Sequence, residues 1–225
     1  MSDLPLARAA GPVAIGAGAL FAVAQVLLFL ATDRNDPGGT LAGWPYRLAA
    51  LLLLAGFVGL AVSAVALYER QAAESGWLGV LGLCAALLGT INMAGNCWFE
   101  TFAVPWISEV LPQLLTIPGS GWLAVGGTSS YYLFAIGWLL FAVAAFWARV
   151  FPRLPCIALA LGGIAGFLAL RPPYGVVLGV ALVWLGIATT RLSSGRRHPP
   201  TLPAGVAQDR ARVPGPDRSE RSAAR

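Results

Sequence analysis

Residues 77–100, WLGVLGLCAALLGTINMAGNCWFE, decide the class of this chain. No charge interrupts the run from Trp77 to Phe99, and 23 residues at the helical rise cover about 35 Å, against a bilayer core of about 30 Å. The apolar residues are continuous rather than alternating, so the run suits a helix and not a barrel strand, and lipid tolerates only self-satisfied backbone. The surrounding chain agrees. Hydrophobic residues make up 57% of the 225 residues and charged residues 11%, with mean hydropathy +0.72. An ordinary soluble domain carries about 25% charge, so there is too little polar surface here to cover a water-facing globule.

Five further runs accompany it, at about residues 9–31, 46–68, 131–148, 154–170 and 174–190. The expectation is an all-α polytopic membrane protein, a six-helix transmembrane bundle over residues 1–192. The last two runs are joined by Arg171-Pro172-Pro173 and sit at the lower limit of length, so a shallow helical hairpin is the alternative for that pair. Ala22-Val23-Ala24 mimics a signal-peptidase site, but Val26-Leu27-Leu28-Phe29-Leu30 continues past it, which favours an uncleaved first span.

Arginine placement orients the bundle. With the N-terminus inside, one side holds Arg8, Arg70, Arg149, Arg153 and Arg191, and the other holds Arg34, Arg47 and Arg171 with Asp33, Asp36, Glu100 and Glu109. Both termini are expected to be cytoplasmic, in a cell membrane. Residues 193–225 are rich in Pro, Arg, Gly and Ser and are expected to form a disordered tail. Arg191, Arg196 and Arg197 stand near enough to the membrane to meet anionic headgroups. The tail lacks aromatic residues for base stacking, so nucleic acid is not an expected partner.

The longest connection, 100–130, repeats apolar residues at helical spacing from Ala103 to Leu115. It is expected to form a short extracytoplasmic interfacial helix at about 103–116, with Pro112 kinking or ending it and Gly126-Gly127-Thr128 breaking the chain before the fourth span. A lid over a cavity and a re-entrant segment are the alternatives.

Asn92, Asn96 and Glu100 recur at i, i+4, i+8 and so form one candidate polar stripe on the third span. An amide in hydrocarbon must find a partner. The stripe therefore either bonds neighbouring helices, with Glu100 in the headgroup region, or lines a pocket in which Glu100 binds a cation or relays a proton. Gln25 and Glu109 are possible companions. Small-residue rows such as Ala14/Gly18/Ala22, Ala55/Gly59/Ser63 and Ala158/Gly162/Gly166 invite close helix approach within the bundle or between copies. Trp and Tyr cluster at span ends as an aromatic belt, Tyr46 among them, while Trp138 and Trp184 are expected to fill the core.

Several chemistries have no residues to carry them. The single histidine, His198, lies in the tail, which excludes His-ligated haem, an HExxH zinc site and a Ser-His triad. Cys84, Cys97 and Cys156 form no CxxC and are expected to be small core residues, and no Walker motif or internal repeat is present. No metal or cofactor is expected. Gly95-Asn96-Cys97-Trp98-Phe99-Glu100 at the exit of the third span, the Pro- and Trp-bearing segment after it and the lysine-free composition resemble small uncharacterised six-span membrane proteins of high-GC bacteria. The resemblance implies a layout over about residues 8–192 and no activity.

Three functions follow as expectations. The first is a non-enzymatic membrane component acting through self-assembly or a membrane partner. The second is a small transporter or channel using the Asn92/Asn96/Glu100 stripe. The third is an enzyme acting on lipid at the outer interface, with Glu100 or Glu109 as general base and no nucleophile to accompany it.

Overall fold

Glycine placement, more than hydrophobicity, arranges the helices. The computed structural model describes residues 5–33, 40–41, 43–111, 113–114, 121–168 and 173–195, and among these every regular element is helical. In chain order they are α1 (Pro5–Ala31), α2 (Trp44–Trp98), a π-helical turn (Phe99–Ala103), α3 (Val104–Val110), α4 (Gly121–Ala148), α5 (Arg153–Ala165) with a 3-10 turn (Gly166–Leu168), and α6 (Val176–Gly195). Three helical stretches are long and apolar enough to cross a membrane: Leu6–Ala31, Trp44–Val110 and Gly121–Ala148. Arg153–Leu168 and Val176–Leu192 are apolar but shorter. The tail beyond 195, with Arg196 and Arg197, lies outside the described residues.

The 55 residues of α2 cover about 80 Å if straight. They are not straight. Gly76 has φ 54° and ψ −147°, a conformation open essentially to glycine alone, and the chain reverses there. Cys97 Sγ lies 3.9 Å from the Ala50 carbonyl oxygen, and a Cβ added at Gly79 would stand 3.3 Å from the Tyr68 ring. The two contacts are centred on the same point of the sequence, so the arms 44–75 and 77–98 run antiparallel. The connection expected at 69–76 is thus a single non-helical residue.

Each rod packs on the next, and the last packs on the first. Added Cβ atoms at Gly59 and Gly56 would meet Ala17 and Phe21, seating the first arm on α1. Gly82, Gly89 and Gly137 bring the second arm and α4 together backbone to backbone. Gly163 abuts Trp138 and Leu139 of α4, and Gly162 abuts Leu178 of α6. A Cβ at Gly18 would lie 2.5 Å from the Gly179 oxygen and one at Gly186 2.7 Å from the Gly11 oxygen, so α6 closes onto α1. Such approaches are possible only where no side chain intervenes.

The ring is filled. Phe21, Phe57, Met93, Phe134, Trp138, Leu159 and Leu182 contribute from every rod and are essentially inaccessible. The Phe21, Phe57 and Phe134 rings form edge-on pairs at 5.1 and 5.7 Å, and Trp138 follows at 6.4 Å. Large apolar side chains instead cover the outside, among them Leu30, Val58, Trp77, Ile91, Trp147, Leu154 and Ile164.

Several expectations change. α4 begins at Gly121, ten residues before the expected 131, and Gly126-Gly127-Thr128 is helical rather than a break. The Ser129 and Ser130 hydroxyls both donate to the Gly126 carbonyl, and glycine's low helix propensity matters less where the backbone must bond to itself. The helix expected at 103–116 is seven residues long and continues from α2 through the π turn, ending before Pro112. Trp184 is on the outside, because Leu178, Ala181, Leu182 and Leu185 define the inner face of α6. Tyr46 is buried, whereas Cys84 is exposed.

Replacing Gly18 with Ala is expected to cost about 1–3 kcal/mol through overpacking against α6. Gly16→Ala, where nothing stands within 4 Å, is the neutral control. Loss of helicity during titration from mild detergent into dodecyl sulfate measures the difference.

Candidate functional site

The exit of the second arm is where helix geometry departs from regularity. Residues four apart drift about 40° around an α-helix, so Met93, Cys97, Thr101 and Pro105 would not share a face over that length. All four are nevertheless buried. The wider π turn at 99–103 takes back the drift, with the Val104 N–H bonded to the Phe99 carbonyl five residues earlier. Pro105 supplies the cause, since it has no N–H and its ring collides with the carbonyl four residues back. Single π turns of this kind recur at functional sites.

The polar stripe runs up to this turn. Asn92 donates to the Leu88 carbonyl of its own helix at 2.8 Å. Asn96 reaches across to the Gly127 carbonyl of α4 at 3.5 Å. Glu100 is exposed, within electrostatic reach of Tyr46 and Cys97. The three residues that align on an ideal helix therefore have three different surroundings. Gln25 is apart from them, fully buried with its amide against Gly175 at the head of α6. Arg191 is exposed near the end of α6.

Glu109 is the one acidic member of the expected set that lines a cavity. An open cleft of about 290 Å³ lies between the head of α2, the π turn and α3, walled by Arg47, Leu51, Thr101, Phe102, Pro105, Trp106 and Glu109. Arg47 Nη2 and Glu109 Oε1 are 3.1 Å apart. The Thr101 hydroxyl of the π turn donates to the Cys97 carbonyl at 2.6 Å, and Ser108 of α3 donates to the Pro105 carbonyl at 2.6 Å, so both segments carry local side-chain bonds to the backbone. Among the described residues no group of three or more His, Cys, Asp and Glu could hold a metal. Among the described residues the Thr101 hydroxyl in the cleft wall donates to a backbone carbonyl and not to Glu109.

No known protein family, curated protein or solved structure matches the chain.

Sequence reasoning overlooked Arg47 as a site residue and Thr90 as a structural one. Arg47 gave only a weak signal, a lone cation at the mouth of a span, and its partner is 62 residues away. Thr90 accepts the Trp138 indole N–H at 3.1 Å while donating to Ala86, and both residues are fully buried. The pair was legible only as a polar residue and an amphipathic aromatic at similar depth on adjacent spans.

Thr90→Val leaves the buried indole donor unpaired and is expected to cost about 1–3 kcal/mol. Asn92→Ala removes a bond within one helix and is expected to cost well under 1 kcal/mol. Parallel detergent-denaturation curves compare the two.

Proposed function

We propose that this chain is a multi-pass integral membrane protein of the cell membrane whose role is non-enzymatic, exercised through helix contacts with other copies or with a membrane partner. The observation that carries this reading is the packed centre: fully buried aromatic and aliphatic side chains from every rod occupy the axis that a transport path would use. Of the stripe residues, Asn96 bonds across to a backbone carbonyl of α4, as helix glue does, while Asn92 bonds within its own helix. Gly16, Gly95, Gly126 and Gly127 have nothing of their own chain within 4 Å where a side chain would stand, and they offer shallow places for another helix backbone.

In this reading α1, both arms of α2, α4, α5 and α6 are six crossings. α3 lies at the outer interface. The end of the bundle near Gly76 carries Arg8, Arg70, Arg149, Arg153 and Arg191 against Glu69 and Glu74, five minus two, or +3 among the described residues. The other end carries Arg47 against Asp33, Glu100 and Glu109, one minus three, or −2. The excess of arginine at the Gly76 end, five against one among the described residues, supports a cytoplasmic position for that end and for both termini. Arg191, with Arg196 and Arg197, then meets anionic headgroups at about 1 kcal/mol each.

Two measurements test the reading. In a chain with Cys84, Cys97 and Cys156 replaced by Ala, Asp33→Cys is expected to react with an impermeant maleimide in right-side-out vesicles and Glu74→Cys only in inverted ones. Reaction of both from one side would refute the crossing count. In proteoliposomes the full chain is expected to add no ion flux over protein-free vesicles; a flux lost in Glu100→Gln would establish transport instead.

A further inference from the structure

Resting on that membrane reading, the geometry points to the cleft beside Arg47 and Glu109 as a headgroup site for one class of lipid: a glycerophospholipid bearing a phosphate and a primary ammonium. The ion pair itself is the first observation. Among the described residues it is a single contact, Nη2 to Oε1 at 3.1 Å, between side chains that are 46% and 62% exposed. A guanidinium has five N–H donors and a carboxylate two acceptor oxygens, so most of the bonding capacity of both groups remains available to the cleft they line. A pair so exposed holds weakly and opens readily to a ligand.

The arrangement of charge is the second observation. A cation and an anion side by side complement a zwitterion: phosphate oxygens on Arg47, which suits their planar fork, and ammonium hydrogens on Glu109. Thr101, whose hydroxyl proton is committed to the Cys97 carbonyl and whose oxygen also meets the Cys97 thiol at 3.9 Å, has one lone pair left to accept a further ammonium hydrogen. A headgroup with phosphate alone leaves Glu109 facing added negative charge, and a quaternary ammonium has no N–H to donate. The third observation is the apolar flank. Leu51 and Phe102, 45% and 47% exposed, line the same cleft. The cavity of about 290 Å³ equals roughly ten waters of liquid volume, enough for a headgroup but not for acyl chains. The chains then run outside, over Leu51 and Phe102, which a free headgroup would leave uncovered.

The test is native mass spectrometry of the full chain in mild detergent, titrated with phosphatidylethanolamine, phosphatidylglycerol, phosphatidylcholine and free O-phosphoethanolamine. Phosphatidylethanolamine is expected to bind about tenfold tighter than either other lipid, the size of one charge-assisted hydrogen bond. Free O-phosphoethanolamine is expected not to compete at matched concentration. Glu109→Gln should abolish the preference for the ammonium headgroup while phosphatidylglycerol still binds. Arg47→Gln should weaken all three lipids, and Leu51→Trp, which fills the cleft and keeps the ion pair, should do the same. Equal binding of all headgroups, or a preference untouched by Glu109→Gln, would overturn the proposal, as would full competition by the free headgroup. Flotation of each variant with phosphatidylcholine vesicles separates this from failure of the membrane reading, because a chain that does not float fails that reading whatever its lipid preference.

Discussion

Two helix backbones touch only where neither carries a side chain between them, and that constraint sets this bundle. On the membrane reading proposed above, water cannot drive one apolar helix onto another, since lipid is as apolar as leucine. What remains is dispersion, which falls steeply with distance. The glycines at 18, 89, 137, 162 and 179 let neighbouring backbones into the range where it acts. The aromatic interior depends on the same spacing, because Phe57 can meet both Phe21 and Phe134 only if the rods that carry them stand close.

The helical class and the main apolar runs were plain from composition and length, because both are one-dimensional properties. The small-residue rows were plain too, and Gly18, Gly59 and Gly162 do stand at helix contacts. Register was not legible. The stripe Asn92, Asn96 and Glu100 was drawn on an ideal α-helix, but spacing along one helix does not say what stands opposite: Asn92 bonds within its own helix, Asn96 meets α4 and Glu100 is exposed. Nor does a hydropathy run distinguish an inward from an outward tryptophan. Trp138 and Trp184 look alike in sequence, yet one is enclosed with Thr90 and the other faces outward. The cleft was invisible because it pairs Arg47 with Glu109 across 62 residues, and no local pattern encodes such a distance.

The two ends of the bundle differ in kind. The Gly76 end is a tight reversal with flanking arginines. The opposite end has a widened turn, a short helix and an open cleft, with charges of both signs. Irregular backbone and exposed polar groups coincide there, and the regular, packed middle stands between the two ends.

The seam between α1 and α6 has a consequence for how the protein is made. The other rods that approach one another through glycines are consecutive in the chain, so each such pair can dock as soon as the second of the two emerges from the ribosome. Gly11 and Gly18, by contrast, wait for Gly179 and Gly186, which are translated last. Throughout synthesis the first helix therefore presents an uncovered glycine face. A nascent chain that stalls before residue 176 is left with an open arc of helices, ready to be captured by a chaperone, a quality-control protease or a sister polypeptide.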